Sequence, residues 1–180
     1  GQPRWSGGMA YGNAILVYES EGAGAVLAHE MTHLVFNEFM GLRNSADFKW
    51  INEGIAVYEE GRASAVSRAA YHRRLVELVV PNPIPFSQFV NMPPPGFSEE
   101  AGGQAAAEDP AANASVERWY AQAGSAASFM INEGGTLGFS LFIARLKAGD
   151  PADAAVSSAF SGLWRNLADM ERAWLLHIRG

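Results

Sequence analysis

Apolar residues recur every three to four positions along most of this chain, which predicts a largely helical protein. The pattern predicts one helix that begins at residue 115 and others over residues 24–39, 48–79, 136–147, 151–160 and 167–178. One segment differs, because Ala14-Ile15-Leu16-Val17-Tyr18, bounded by glycines, has the composition of a short strand. We therefore expect an α+β fold that is mostly helical, with a small N-terminal β element (an edge strand near residues 13–19) and a helical C-terminal part.

Glycine, proline and polar residues mark where these elements end. The segment 61–64 (G-R-A-S) predicts an interruption in the second helix, and residues 81–85 (P-N-P-I-P) end it. An irregular loop then spans residues 81–114, either as a flap over a cleft or as a surface insertion without a role. A length of 180 residues with 48% hydrophobic content fits a single domain, divided into residues 1–80, the loop and a helical subdomain over 115–180.

The first predicted helix carries two histidines and a glutamate in the order H-E-M-T-H, at residues 29–33. His29 and His33 are four residues apart, so they lie one above the other on one face of the helix. Neutral imidazole is the commonest side-chain ligand for zinc, and Glu30 is close enough to act as a general base on a water at the metal. The alternative is a helix whose polar positions match this motif by chance.

The second predicted helix supplies a third ligand. Glu53 follows His33 after nineteen residues, and the loop between them offers Ser45 or Asp47 as a helix cap. Helices joined by a short loop pack antiparallel, so Glu53 can face the two histidines. The three side chains would fill three positions of a tetrahedral zinc site and leave the fourth open, as in catalytic sites. The alternative is that Glu53 is a solvated carboxylate on a helix.

A second glutamate has the same neighbours as Glu53. Residues 131–134 (I-N-E-G) repeat the letters of residues 51–54, but they lack the preceding tryptophan and the alanine and tyrosine that follow. The glycine pair at 134–135 is a signal for a helix end, so Glu133 is expected at a C-terminus, away from the histidines. Glu53 is therefore the predicted ligand.

These motifs and their spacing resemble those of a known family. The sequence H-E-M-T-H at 29–33, followed by W-I-N-E-G-I-A-V-Y-E at 50–59, is similar to the gluzincin metallopeptidases, in particular to compact peptidase MA-like domains. The resemblance covers residues 23–60, and residues 120–125 (Y-A-Q-A-G-S) are also similar to a helix of these domains. It implies a zincin-like catalytic domain in which the N-terminal strand lines the cleft and pairs with an extended substrate.

The resemblance also implies a role for each residue of the site. It makes His29, His33 and Glu53 the ligands of one catalytic Zn²⁺ and Glu30 the general base. It makes Tyr120 the donor of a hydrogen bond to the developing oxyanion. For Tyr120 the alternative is a buried tyrosine whose hydroxyl is satisfied within the fold.

Two departures from the family pattern bear on these roles. Thermolysin-type members have an aspartate four residues after the ligand glutamate, which orients the first histidine, and here that position is Val57. The sequence therefore does not identify the partner that orients His29. The G-x-M-E-N motif that anchors a substrate amine in gluzincin aminopeptidases is also absent, so exopeptidase activity is not supported.

Composition and charge exclude several classes of partner. The net charge of −6 argues against nucleic acid, and the basic cluster at residues 68–74 is expected to be a solvated face. The other histidines, His72 and His177, are expected to be structural or exposed. No apolar stretch is long enough to span a bilayer, and no signal-peptide pattern is present, so we expect a soluble domain. The absence of cysteine is compatible with an extracytoplasmic location.

The motifs predict a zinc-dependent peptidase that acts on a peptide or protein substrate, with an endopeptidase as the expected type. Three alternatives remain open from the sequence. The chain is a zinc hydrolase of a non-peptide amide or ester, a catalytically silent zinc-binding domain that recognises a substrate, or a helical interaction module without a metal.

Overall fold

A computed structural model of the chain describes residues 8–11, 14–17, 22–41, 48–95 and 110–180. Its helices are α1 (Ala23–Met40), α2 (Lys49–Ala63), α3 (Ala65–Arg74), α4 (Phe86–Phe89), α5 (Pro110–Ala148), α6 (Ala152–Ala159) and α7 (Leu167–Arg179). A π-helical turn, Leu75–Val79, follows α3 directly. Two short strands, β1 (Gly8–Tyr11) and β2 (Ala14–Val17), pair antiparallel next to α1. Within these ranges, none of the helices combines the length and the apolar character that a bilayer crossing requires.

The predicted α+β fold class is wrong, and the chain has an all-α fold. The strand signal at residues 13–19 does not produce a β layer, because β1 and β2 have four residues each and pair only with one another in the described chain. The core lies instead between helices, with α2 against α5 and α1 against α2 as its most extensive interfaces. Residues 13, 18 and 19 of the predicted strand lie outside the described residues.

The first predicted helix is confirmed, since α1 covers residues 23–40. The second is divided by the predicted interruption, which falls at Ser64, where the backbone is extended (φ −140°, ψ 120°). The Ser64 side chain accepts a hydrogen bond from the backbone N–H of Ser67 and so caps α3. Because of this break, α3 leaves the direction of α2 and returns alongside it.

Part of the predicted irregular segment 81–114 is held firmly against the core. The amide of Gln122, fully buried on α5, accepts from the backbone N–H of Ile84 (2.8 Å) and donates to the Ile84 carbonyl (2.7 Å). Within this segment residues 86–89 form the short helix α4, and α5 begins at Pro110 rather than at residue 115. Residues 96–109, and the cap candidates Ser45 and Asp47, lie outside the described part of the chain.

Aromatic side chains fill the space between α2, α4, α5 and α7. At most 1% of their surface is exposed, and they are Trp50, Phe86, Phe89, Trp119, Phe142 and Trp174. The two indole N–H groups at α5 and α7 have partners, since Trp119 donates to the Met92 carbonyl and Trp174 donates to the Ser125 hydroxyl. The tryptophan of the W-I-N-E-G motif therefore anchors α2 in this core.

Glycines let α2 and α5 approach each other at backbone distance. A Cβ atom placed on Gly54 would lie 2.6 Å from the Ala123 carbonyl oxygen, and one placed on Gly124 would lie 2.3 Å from Cγ1 of Val57. Both contacts are shorter than real Cβ contacts, so only glycine fits at these two positions. This close crossing brings Tyr120, on α5, to the part of α2 that carries Glu53.

The crossing makes a testable prediction about Gly54. We expect Gly54→Ala to lower the free energy of unfolding by about 1–3 kcal/mol, because the added methyl group meets the backbone of α5 rather than a movable side chain. Gly61→Ala is the matched control on α2, since its nearest neighbour, Cβ of Arg68, is 3.6 Å away. That control should be neutral or stabilising by up to about 1 kcal/mol. Urea denaturation measures both, and equal stabilities of the two variants would contradict the close approach.

Candidate metal centre

Two imidazoles and one carboxylate converge between α1 and α2. His29 and His33 stack one turn apart on α1, with ring centroids 4.8 Å apart in an edge-to-face arrangement. On α2, Oε2 of Glu53 lies 3.7 Å from Nε2 of His29 and 3.4 Å from Nε2 of His33. These three side chains are only 14–17% exposed, which leaves one side open to solvent and shelters the rest.

The geometry fits a metal ion. In a tetrahedral site with bonds of about 2.0–2.1 Å, neighbouring ligand atoms lie about 3.3 Å apart. Both nitrogen-to-oxygen distances are close to that value, and the candidate ligand atoms of the group all lie within 4.8 Å of one another. The group formed by His29, His33 and Glu53 can therefore hold a metal ion.

The tautomer of His33 is fixed by a pair of asparagines. Its Nδ1–H donates to Oδ1 of Asn52 (2.9 Å), and the Asn52 amide donates in turn to Oδ1 of Asn37 (3.4 Å). Because the amide N–H of Asn52 is directed at Asn37, its oxygen is the atom that faces the ring. Neutral His33 therefore carries its proton on Nδ1, which leaves the Nε2 lone pair for a metal ion held between this nitrogen and Glu53.

A carboxylate performs the same role for His29. Nδ1–H of His29 donates to Oε2 of Glu60 (3.1 Å), and the hydroxyl of Tyr71, on α3, donates to the same oxygen (2.9 Å). A carboxylate that accepts from the second ring nitrogen of a ligand histidine fixes its orientation and makes it a stronger ligand. Glu60 is thus the orienting carboxylate that the sequence left unidentified.

Val57 has a different function from the aspartate expected at its position. Its side chain is 4% exposed and packs against Gly124 of α5, on the face of α2 that forms the core. Glu60 lies seven residues after Glu53, which is two turns of the helix, so these two side chains share the face that looks toward α1. The partner of His29 is therefore Glu60, about one turn further along α2 than Val57.

Charge in the site is set by two carboxylates that face two histidines. Burial disfavours the charged imidazolium, but Glu53 and Glu60 more than offset this and raise the pKa of His29 to about 9; the pKa of His33 is raised as well, mainly by Glu53. Although burial acts against it, the histidines lower the pKa of Glu53 to about 2. The centre therefore favours a cation, either protons or a metal ion, and metal binding is expected to tighten as pH rises and the competing protons leave.

Glu30 and Tyr120 border the same centre. Glu30 follows His29 on α1 and is half-buried. Burial raises the pKa of the Tyr120 phenol, and the negative charges of Glu53 and Glu30 raise it further, which shows that the phenol lies within electrostatic reach of both carboxylates. The Tyr120 hydroxyl has no hydrogen-bond partner among the described residues, so this hydroxyl can donate to a ligand.

The remaining candidates are not part of the centre. Glu133 is exposed and lies two residues before Gly135, where α5 is kinked by a left-handed backbone (φ 72°, ψ 161°). His72 is exposed within the basic cluster of α3, and His177 is exposed with its ring against Phe129 (centroids 5.1 Å apart). The preference for Glu53 over Glu133 therefore agrees with the grouping of the ligand atoms.

The sequence did not point to Asn52, Glu60 or Tyr71 as parts of the site. For Glu60 a signal existed, because it lies seven residues after Glu53, about two turns along α2. Asn52 precedes Glu53 directly and so lies about 100° away from it around the helix, which gave no such signal. Tyr71 carried no such signal, since its position depends on how α3 turns back at Ser64.

Comparison with protein-family models, with curated proteins and with solved structures finds no match to this chain.

Proposed function

We propose that this chain is a zinc-dependent peptidase, with His29, His33 and Glu53 as the metal ligands. The observation that carries the proposal is that both histidines are held through Nδ1, so that both Nε2 atoms and one carboxylate oxygen converge on a single point. Two imidazoles and one carboxylate are a ligand set characteristic of catalytic zinc, and the partial exposure leaves room for a substrate. The likeness of the two motifs to gluzincin metallopeptidases supports the same conclusion.

The reaction follows from the residues around that point. Bound zinc would act as a Lewis acid and make a water molecule acidic enough to lose a proton near neutral pH. Glu30 accepts that proton as the water attacks the carbonyl carbon of the substrate, and it then passes the proton to the leaving amine. The Tyr120 hydroxyl donates a hydrogen bond to the oxygen that becomes negatively charged. Burial and neighbouring carboxylates keep this phenol protonated, which is the form that donates.

Peptides are the proposed substrates, and cleavage within the chain is the proposed mode. The sequence lacks the motif by which gluzincin aminopeptidases bind a free amine, which favours an endopeptidase. Conversely, the presence of three ligands together with a neighbouring glutamate weighs against a domain that binds zinc without catalysis. A non-peptide amide or ester would be hydrolysed by the same residues, so an experiment has to distinguish such a substrate from a peptide.

The proposal is tested with a diverse peptide mixture incubated with the zinc-loaded protein, with and without a chelator. We expect internal cleavages that stop with the chelator and return when zinc is restored, because the reaction depends on the bound ion. Mass spectrometry of the products distinguishes internal from terminal cuts. Bound zinc without any peptide cleavage would favour a silent binding domain or a hydrolase of a non-peptide amide or ester, and an absence of zinc by elemental analysis would contradict the metal site itself.

A further inference from the structure

A phenol on α3 is linked to the metal centre through one carboxylate oxygen. We propose that Tyr71 is a positioning residue, whose hydroxyl holds Glu60 so that Glu60 in turn holds His29 with Nε2 directed at the metal. The inference rests on the proposed metal site and assigns Tyr71 no contact with the substrate. It adds to the site a third helix, α3, which has no fully buried residue of its own.

The hydrogen bonds on Glu60 carry this assignment. Its Oε2 atom accepts from the Tyr71 hydroxyl (2.9 Å) and from Nδ1 of His29 (3.1 Å). A lone glutamate at the end of a flexible side chain has several rotamers, and each additional donor reduces that freedom. The Tyr71 hydroxyl of α3 therefore restricts the carboxylate that orients the His29 ring.

The two phenols near the centre have different roles. Tyr71 uses its only hydroxyl proton on Glu60, so it cannot donate to a substrate at the same time. Burial and the charge of Glu60 raise the pKa of Tyr71, which keeps it protonated and able to donate. Tyr120 has no such partner among the described residues, so the oxyanion role belongs to Tyr120 and the positioning role belongs to Tyr71.

The two ligand histidines are supported unequally. His33 is held by the neutral amide of Asn52, whereas His29 is held by the charged carboxylate of Glu60. A charged acceptor makes the stronger hydrogen bond and increases the electron density on the ligand nitrogen. Loss of the support of His29 should therefore weaken metal binding, and any change in how α3 lies against α2 should do the same.

The experiment measures zinc affinity by competition with a chromogenic chelator. Glu60→Ala should weaken binding by roughly 10- to 100-fold, the range for residues that orient a metal ligand, and Tyr71→Phe should weaken it by about 3- to 10-fold. In the Glu60→Ala background, Tyr71→Phe should have no further effect, because the phenol acts only through that carboxylate. Tyr58→Phe, which removes a hydroxyl from a half-buried tyrosine on α2 whose ring faces Arg62, is the control and should leave the affinity unchanged.

The visible absorption of the Co²⁺-loaded protein gives a second readout, since it reports the ligand field. Tyr71→Phe should change this spectrum, and Tyr58→Phe should not. Wild-type zinc affinity in Tyr71→Phe would overturn the inference, whether or not the melting temperature of that variant falls. Equal effects of Tyr71→Phe with and without Glu60 would also overturn it. Zinc binding without peptide cleavage would contradict the peptidase and leave this inference standing, whereas a wild type without zinc would refute both.

Discussion

We expect Glu30→Gln to retain zinc and to lose turnover by roughly 10²- to 10⁴-fold, the contribution of a positioned general base. Glutamine keeps the size and the hydrogen-bonding capacity of the side chain but cannot accept the proton of the attacking water. Glu30 is not one of the three grouped ligands, so its loss should leave the metal in place. The measurements are kcat on a peptide found by cleavage profiling and the zinc content of the purified variant.

Two further variants make this result specific. Glu38→Gln removes a carboxylate from an exposed position of the same helix, α1, and should keep full activity. Tyr120→Phe removes the proposed oxyanion donor and should lower kcat by roughly 10²-fold, with little effect on zinc content. Full activity of Glu30→Gln would refute the base, and full activity of Tyr120→Phe would leave Tyr120 as a residue of the core between α2 and α5.

The sequence predicted those features that depend on short spacings. Helix α1 and the pairing of His29 with His33 follow from one helical period, and the placement of Glu53 opposite them follows from two antiparallel helices. The break at Ser64 was also predicted, because a polar cluster with glycine interrupts the apolar pattern. Each of these inferences uses residues that are close along the chain or joined by one short loop.

The fold class was mispredicted because a local signal was extended to the whole architecture. Residues 14–17 do form a strand, but a strand contributes a layer only when several others pair with it, and its neighbour β1 is the only described partner. The core formed between helices because Gly54 and Gly124 let α2 and α5 come together. This contact joins residues about seventy positions apart, and no pattern within either segment predicts it.

The orienting partner of His29 was missed for a related reason. The expectation placed it four residues after Glu53, at Val57, which the structure places in the core. On a helix, the positions four and seven residues after Glu53 lie about 40° to one side of it and about 20° to the other, so Glu60 was available by the same geometry. The choice between these two positions is made by which face α5 covers, and that is a property of the assembled fold.

Glu53→Ala should abolish tight zinc binding, with a loss in affinity greater than the roughly 100-fold that marks the upper range for supporting residues. Two imidazoles on one helix remain after the substitution, and they supply only half of a tetrahedral site. Glu133→Ala is the matched control, because Glu133 has the same four-letter neighbourhood but lies exposed before the kink at Gly135. Zinc retained in Glu53→Ala, or lost in Glu133→Ala, would contradict the ligand assignment.

Thermal unfolding separates loss of the ligand from damage to the fold. At a free zinc concentration one hundred times the dissociation constant, binding stabilises the native state by about 2.7 kcal/mol. This gain should vanish in Glu53→Ala and persist in Glu133→Ala. Without metal, burial disfavours the charged form of Glu53, but the two histidines outweigh it and lower its pKa to about 2, so that the charge stabilises the fold above the ordinary pKa and this benefit is lost as pH falls toward about 2. We therefore expect the metal-free Glu53→Ala protein to melt below the metal-free wild type at neutral pH. The contribution of the ligand is read from the shift in melting temperature that zinc produces in each protein, not from the metal-free melting temperatures.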